Sequence, residues 1–165
     1  MKPLRFVALA IATIAPVTVA SMPGTASATA RHPAGTSGAA HQYLVDCAPV
    51  DKASDAFQAT ALSWIGNSTI TSSQAGSAAR PLIAALVTFQ KRLESQNWPT
   101  AARQDVRALV SAFNVLLGDL RGLVHDDMAN TSSWESPLLN ADTLTTAATD
   151  KVRHDLGLPP LSASV

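Results

Sequence analysis

The sequence predicts an all-α protein: an up-down-up-down four-helix bundle that follows a signal peptide and a flexible lead-in. Apolar residues recur at steps of three and four along four separate segments, which is the spacing of one helix face. No segment alternates apolar and polar residues over a useful length, which disfavours strands. The predicted connections are short apart from residues 125–136, and short connections make consecutive helices antiparallel neighbours.

Residues 1–28 have the organisation of a cleavable signal peptide. Lys2 and Arg5 give a positive start, and residues 6–20 form an apolar run broken only by threonines and one proline. Small residues favour cleavage after Ala28 or Ala30. The apolar run is shorter than the roughly 20 residues that span a membrane. We therefore expect export, with the mature protein secreted or held outside the cytoplasm in the cell envelope.

The mature chain divides into three predicted parts. Residues 29–42 are rich in Gly, Ala, Ser and Thr and predict a flexible lead-in, because they bury too little surface to order themselves. Residues 43–160 predict the helical bundle, and residues 161–165 predict a C-terminal tail.

The first helix is predicted from about residue 50 to residue 65, on a stripe that includes Trp64 as a core residue. Tyr43 and Cys47 continue this stripe backwards along the chain. Pro49 argues against a straight extension, because its ring clashes with the preceding turn of a helix.

Three further helices are predicted over residues 72–96, 99–124 and 137–156. Pro81 predicts a kink in the second of them. Ser136 and Pro137 predict the start of the last, with the proline at its first helical position. The strongest apolar stripe lies on the third helix and comprises Ala102, Val106, Leu109, Phe113, Leu116, Leu120 and Leu123.

Gly118 and Gly122 lie four residues apart on one face of the third helix. In a soluble bundle this spacing favours the close approach of a neighbouring helix.

Composition excludes some classes of function. The formal net charge is +0, and the basic residues of the signal peptide leave a slightly acidic mature chain, which disfavours nucleic-acid binding. We expect no second apolar stretch of membrane-spanning length, and hence a soluble mature protein.

Cys47 is the single cysteine. Its predicted state is a buried thiol, with a disulfide between two chains as the alternative.

Known catalytic patterns are missing from the sequence. His125 and His154, each followed by an aspartate, end the third and fourth helices at opposite poles, roughly 30 Å apart at a rise of ~1.5 Å per residue. They cannot share one metal. Glu94 and Glu135 are too few for a carboxylate di-iron bundle. There is no Gly-x-Ser-x-Gly turn, phosphate-binding glycine loop or cysteine pair for zinc. The sequence thus points to no catalytic residue and no cofactor.

Two site hypotheses rest on the longest loop. Asp126 and Asp127 follow the third helix near its negative end, where the helix dipole disfavours anions. A divalent cation would relieve that repulsion, so these residues are candidates for a metal site, with a solvated acidic loop as the alternative. Trp134 and Glu135 are candidates for a contact with a partner, since an exposed tryptophan can anchor one; the alternative is that Trp134 covers the end of the bundle.

The stretch from Tyr43 to Pro160 resembles a recurrent type of small exported actinobacterial protein of unassigned function. The resemblance is carried by Tyr43, by Asn97-Trp98-Pro99 before a long amphipathic helix, and by Val152-Arg153 leading into Asp155-Leu156-Gly157-Leu158-Pro159. Many such proteins are lipid-anchored. This chain departs from them because Asp46 precedes Cys47, where lipid attachment needs a small residue. The resemblance implies no catalytic residues.

The predicted function is that of an exported noncatalytic helical protein that binds a protein or a component of the cell envelope. One alternative is a carrier of an apolar ligand or haem. Small residues such as Ala141 and Ala148 could leave room for the ligand, and His41, Tyr43 or His125 could supply one haem ligand. The other alternative is a hydrolase whose site the sequence does not reveal.

Overall fold

The computed structural model of the chain describes residues 35–64, 70–125 and 132–161, with the backbone alone at residues 35–37 and 132–135. These residues form four α-helices: α1 (Gly35–Leu62), α2 (Ser72–Ser95), α3 (Arg103–His125) and α4 (Ser132–Asp155). No strand occurs in this part of the chain. The all-α four-helix prediction is therefore confirmed, whereas the signal peptide lies outside the described residues.

Side-chain contacts show that neighbouring helices run antiparallel. The rings of Tyr43 and Phe89, 5.7 Å apart, join the start of α1 to the end of α2. A Cβ atom placed on Gly76 would lie 3.5 Å from Cγ1 of Val124, which places the start of α2 beside the end of α3. Tyr43 also lines one cavity together with Thr149 and Arg153, so α4 ends near the start of α1. The ends of α3 and α4 consequently lie at opposite poles, as predicted.

The core follows the predicted stripes. Every residue of the predicted α3 stripe is buried, and the α2 stripe is equally complete. Phe113 of α3 contacts Phe89 of α2 edge to face, with ring centroids 5.7 Å apart. Burial of an aromatic or branched side chain contributes about 1.5–3 kcal/mol, so these stripes hold α2 and α3 together. Trp64 is buried as well, which confirms its prediction as a core residue.

The first helix begins before residue 50, as the backward continuation of its stripe through Tyr43 and Cys47 allowed, and the break expected at Pro49 was wrong. α1 begins at Gly35 and continues through Pro49, so residues 35–42 are helical rather than part of a flexible lead-in. Proline removes one backbone hydrogen bond, to the carbonyl of Val45. Pro49 and Val45 are both exposed, so water can satisfy that carbonyl and the helix continues past the proline.

The predicted start of the fourth helix was also wrong. α4 begins at Ser132, and Pro137 lies inside it rather than at its first position. Pro137 is exposed, like Pro49 and Pro81. The lost hydrogen bonds thus fall on the solvent side of the helices.

The start of α2 agrees with the prediction and has a clear local cause. The Thr71 hydroxyl accepts from the backbone N–H of Gln74 at 3.2 Å, and the Thr71 N–H donates to the Gln74 side chain at 3.0 Å. This reciprocal capping box satisfies two donors that a helix start would leave unpaired.

Gly118 and Gly122 do not serve a close helix approach, so that prediction was wrong. A Cβ atom added to either would meet nothing within 4 Å. Gly118 is exposed and Gly122 is half-buried.

Within the described residues, α3 alone is long and apolar enough to cross a membrane by length and composition. A segment of membrane-spanning length in the mature chain was not expected. The leucines of α3 are packed against the other helices, which is the usual setting of an apolar helix in a bundle core.

Candidate binding site between α1 and α4

A row of polar residues lies buried or half-buried where α1 faces α4. On both helices these residues follow one face at steps of four, four and three, and the antiparallel register brings the two rows together. We call the two rows the polar seam, which consists of Tyr43, Cys47, Asp51 and Ser54 on α1 and Arg153, Thr149, Thr145 and Asp142 on α4.

Tyr43 closes one end of the polar seam. Its ring packs edge to face against Phe89 and Trp98, and Tyr43 lines one cavity with Thr149 of α4. Burial raises the pKa of Tyr43 well above its ordinary value, and nearby Cys47 raises it further. The phenol therefore stays protonated and is unsuited to bind haem iron as a phenolate.

Cys47 and Asp51 lie one helical turn apart on α1. The Cys47 thiol approaches the Leu44 carbonyl at 3.4 Å and Oδ2 of Asp51 at 3.8 Å. Burial and the negative charge of Asp51 together raise the pKa of Cys47 to about 12. Since the thiolate is the reactive form, this thiol is inert at neutral pH. Cys47 is 6% exposed, so a disulfide between two chains would require α1 to separate from α4.

Arg153 is the cation of the polar seam, and it is only 8% exposed. Its Nε donates to the carbonyl of Pro159 at 2.6 Å. Its charge acts on Asp51 and lowers the pKa of that carboxyl against the larger effect of burial, yet no direct ion pair joins the two residues. Among the described residues, nothing pairs with the two Nη groups of this guanidinium.

The residues after α4 fold back over the polar seam. We call residues 157–161 the C-terminal strap. Gly157 has φ 72°, which L-residues rarely adopt, and the Leu158 N–H donates to the Arg153 carbonyl at 2.7 Å. This is a Schellman ending, which reverses the chain at the end of a helix. The Leu161 N–H then donates to Oδ1 of Asp150 at 2.7 Å, and Leu161 is 3% exposed.

Four oxygen atoms in the polar seam have no hydrogen-bond partner: Asp51 Oδ1, Ser54 Oγ, Asp142 Oδ1 and Thr145 Oγ1. Buried polar groups in native proteins are almost always paired. Each exception costs about 1–3 kcal/mol. Burial accordingly raises the pKa values of Asp51 and Asp142, each to about 6. The polar seam is thus a costly arrangement that the fold maintains.

A cavity of about 20 Å³ lies within the polar seam. It is bounded by Asp51, Thr145 and Arg153, by the rings of Tyr43, Phe89 and Phe113, and by Leu161 of the C-terminal strap. This volume holds about one water molecule. A haem or a lipid needs several hundred Å³, so neither fits the closed structure.

Asp46 is a buried carboxylate of the same fold whose two oxygens are both hydrogen-bonded. Its Oδ1 accepts from Arg92 at 2.7 Å and from Gln42 at 3.1 Å, and its Oδ2 accepts from Gln96. Both oxygens are therefore satisfied, and the resulting clasp ties α1 to α2. The unpaired oxygens of Asp51 and Asp142 contrast with it.

A second, larger opening of about 470 Å³ lies where α2 meets α3. Trp98 Nε1 donates to the Leu93 carbonyl at 2.6 Å, and Arg103 donates to the Trp98 carbonyl at 3.0 Å and to Asn97 at 3.2 Å. None of the residues that line this groove has a buried side-chain atom without a partner, in contrast to the polar seam.

The side chains of the predicted site residues lie outside the described part of the chain. Asp126 and Asp127 lie outside the described residues. The backbone of Trp134 and Glu135 belongs to α4, and their side chains lie outside the described part. His154 is exposed and meets Asp155 at 3.4 Å.

The haem-ligand candidates are not brought together. His41 and His125 are both exposed, and they lie at the start of α1 and at the end of α3. In the antiparallel arrangement these are opposite poles of the bundle.

Sequence reasoning missed the pairing of α1 with α4 as a site. The usable signal was the repeat of polar residues at helical spacing on both segments, from Tyr43 to Ser54 and from Asp142 to Arg153. On each helix alone Tyr43, Cys47 and Thr145 fit the apolar stripe, so their polar groups give no separate signal.

Replacing Thr145 with valine should raise the free energy of unfolding by about 1 kcal/mol. The change keeps the shape of the side chain and removes a buried hydroxyl that has no partner. Urea unfolding measures the effect. Thr143→Val is the matched control on the same helix, because the exposed Thr143 hydroxyl donates to the Leu139 carbonyl at 2.9 Å; it should change stability by under about 0.5 kcal/mol. A less stable Thr145→Val protein would contradict the unpaired state of this hydroxyl.

The fold and the polar seam together define an all-α four-helix protein with a buried polar site between its first and last helices. Comparison of the chain with protein-family profiles, curated proteins and solved structures gives no match. The resemblance to small exported actinobacterial proteins therefore stays a prediction.

Proposed function

We propose that this chain is an exported, noncatalytic binding protein that receives a group of its ligand in the polar seam. The supporting observation is the set of unpaired polar atoms around one cavity, which includes Asp51 Oδ1 and Thr145 Oγ1. A ligand that completes these groups would recover part of the cost of burying them. Departures from well-paired packing are expected at functional sites rather than in purely structural ones.

The chemistry of the polar seam favours binding over catalysis. Cys47 is its strongest nucleophile by residue type, and with a pKa raised to about 12 by burial and Asp51 it stays a thiol. No described histidine borders the cavity to act as a base. Asp51 could accept a proton, but the Thr145 hydroxyl that lines the same cavity makes no hydrogen bond to it. A hydrolase is therefore the less supported alternative.

The size of the cavity favours a ligand other than haem or a lipid. A preformed carrier site would enclose several hundred Å³, whereas the polar seam encloses about 20 Å³. Binding must therefore involve a small polar group or a local opening of the site. Export, inferred from residues 1–28, would make that ligand a component of the cell envelope or of the medium.

Native mass spectrometry of protein purified from its own secretion medium tests this proposal. We expect a noncovalent adduct that is lost on denaturation. The adduct should be diminished in Thr145→Val and retained in Thr143→Val, since only the first change alters the cavity wall. An adduct unaffected by Thr145→Val would place the ligand elsewhere, and a ligand-free mass alone would count against binding in the polar seam.

A further inference from the structure

We infer that the cavity of the polar seam takes a small zwitterion with an apolar side chain, the chemistry of a free apolar amino acid. This inference rests on the proposed function and names the ligand class of the same site. It draws on three observations: an unpaired cation, an unpaired anion with an adjoining hydroxyl, and an apolar wall that one leucine of the chain already occupies.

The cationic side is the guanidinium of Arg153. Only its Nε is engaged, by the Pro159 carbonyl at 2.6 Å. Its Nη groups remain available to a carboxylate, which guanidinium binds through two parallel hydrogen bonds. Arg153 as a whole is 8% exposed, and a bound carboxylate would replace the solvent that its Nη groups reach.

The anionic side is formed by Asp51 and Thr145. Asp51 and Thr145 both line the cavity, and Oδ1 of Asp51 and Oγ1 of Thr145 have no partner in the chain as described. An ammonium group offers three donors and can serve both oxygens at once. Thr145 is 4% exposed, so its hydroxyl has no ready alternative in solvent.

A ligand needs both a negative and a positive group to fit this site. A ligand with only a carboxylate would satisfy Arg153 but would meet the carboxylate of Asp51 across the cavity. A ligand with only an ammonium would satisfy Asp51 but would meet the guanidinium. A zwitterion satisfies both and adds no net charge to a buried place, where an uncompensated charge is costly.

The C-terminal strap indicates that the ligand has an apolar side chain. The strap places a carbonyl oxygen, that of Pro159, on Arg153 and a branched apolar side chain, that of Leu161, over the cavity. The rings of Tyr43 and Phe89 line the same cavity. The strap therefore mimics a ligand that combines a carboxylate with an apolar side chain.

Entry of such a ligand requires Leu161 to leave. The cavity of about 20 Å³ holds one water molecule and no amino acid. Beyond Gly157 the strap is held by the Arg153–Pro159 hydrogen bond and by the Leu161–Asp150 hydrogen bond. The ligand and Leu161 thus compete for one place, so the affinity of the closed protein is reduced by the fraction of molecules that are open.

Isothermal titration of the exported protein at neutral pH tests the inference with three probes. L-leucine carries both charges, isovalerate carries only the carboxylate, and isoamylamine carries only the ammonium. We expect saturable binding of L-leucine. Each single-charge analogue should bind at least about tenfold more weakly, equivalent to about 1.4 kcal/mol or more.

Two substitutions probe the two sides of the mechanism. Thr145→Val should weaken L-leucine binding about tenfold, because it removes a hydrogen bond to the ammonium, whereas Thr143→Val should leave it unchanged. Leu161→Ala should strengthen binding about threefold or more, because it removes the competitor. Leu144→Ala is its control, since Leu144 is exposed on α4 and should have no effect.

The outcomes separate the ligand class from the site. Isovalerate or isoamylamine binding as tightly as L-leucine would overturn the zwitterion. Absence of L-leucine binding to both the wild-type protein and Leu161→Ala would overturn it too. If native mass spectrometry then finds a different adduct that Thr145→Val diminishes, the polar seam remains the site and only the ligand class is wrong. If no adduct appears either, both proposals fail.

Discussion

Phe113→Ala should lower the free energy of unfolding by about 3–5 kcal/mol. Phe113 is 3% exposed and contacts Phe89 edge to face at 5.7 Å. The substitution removes a buried ring and leaves a cavity where α2, α3 and α4 meet, so both the transfer energy and the lost packing count against the fold. Urea unfolding followed by circular dichroism measures the loss.

Val115→Ala on the same helix is the matched control. Val115 is 48% exposed, so its truncation should change stability by under about 0.5 kcal/mol. A loss of similarly small size for Phe113→Ala would mean that the ring is not enclosed by the other helices. A large loss for Val115→Ala would mean that the outer face of α3 is covered in solution.

The fold could be predicted because its core is periodic. Leucines and phenylalanines at steps of three and four form one face of a helix, and a bundle buries that face against its other helices. Leu109, Phe113 and Leu120 are all buried as expected. The capping box at Thr71 and the reversal at Gly157 are local signals of a few residues. Such signals predict where α2 begins and where α4 ends without knowledge of the tertiary structure.

Helix starts near proline could not be predicted in the same way. Pro49 costs α1 one hydrogen bond, and the sequence alone does not show whether the freed carbonyl reaches water. In the structure the proline is exposed, so water can replace the lost hydrogen bond. Tyr43 and Val50, both 2% exposed, bury α1 on either side of it. Tertiary burial thus outweighs the local preference for a break.

The polar seam was hidden because single-helix patterns assign charged residues to the surface. Asp51 and Arg153 are more than 100 positions apart in the sequence, and only the packing of α1 beside α4 gives them one environment. Leu161 was missed for a related reason. It is an isolated apolar residue after two prolines and belongs to no repeat, so nothing in its neighbourhood predicts that it returns to the core.

Stability should fall as the pH rises from about 4 to about 6, because of Asp51 and Asp142. Burial raises the pKa of each from 3.8 to about 6, the near charge of Asp55 adding to the rise at Asp51. In this interval the unfolded chain releases its protons first, so the folded state holds more protons and loses stability with increasing pH. At ~1.4 kcal/mol per pKa unit, and after a discount because solvent partly screens both carboxyls, each accounts for roughly 1–2 kcal/mol, which is lost above about pH 6.

Urea unfolding between pH 4.5 and pH 7.5 measures this slope. Asp51→Asn and Asp142→Asn should each flatten it by about half and should raise stability at pH 7.5, because a buried neutral amide costs less than a buried charge. Glu94→Gln is the matched control, since Glu94 is exposed on α2, and its slope should equal that of the wild type. Stability that instead rises with pH in the wild-type protein would show that both carboxyls are held ionised in the fold. That result would require a further donor or cation in addition to Arg153, because no hydrogen bond satisfies Oδ1 of either aspartate within the chain as described.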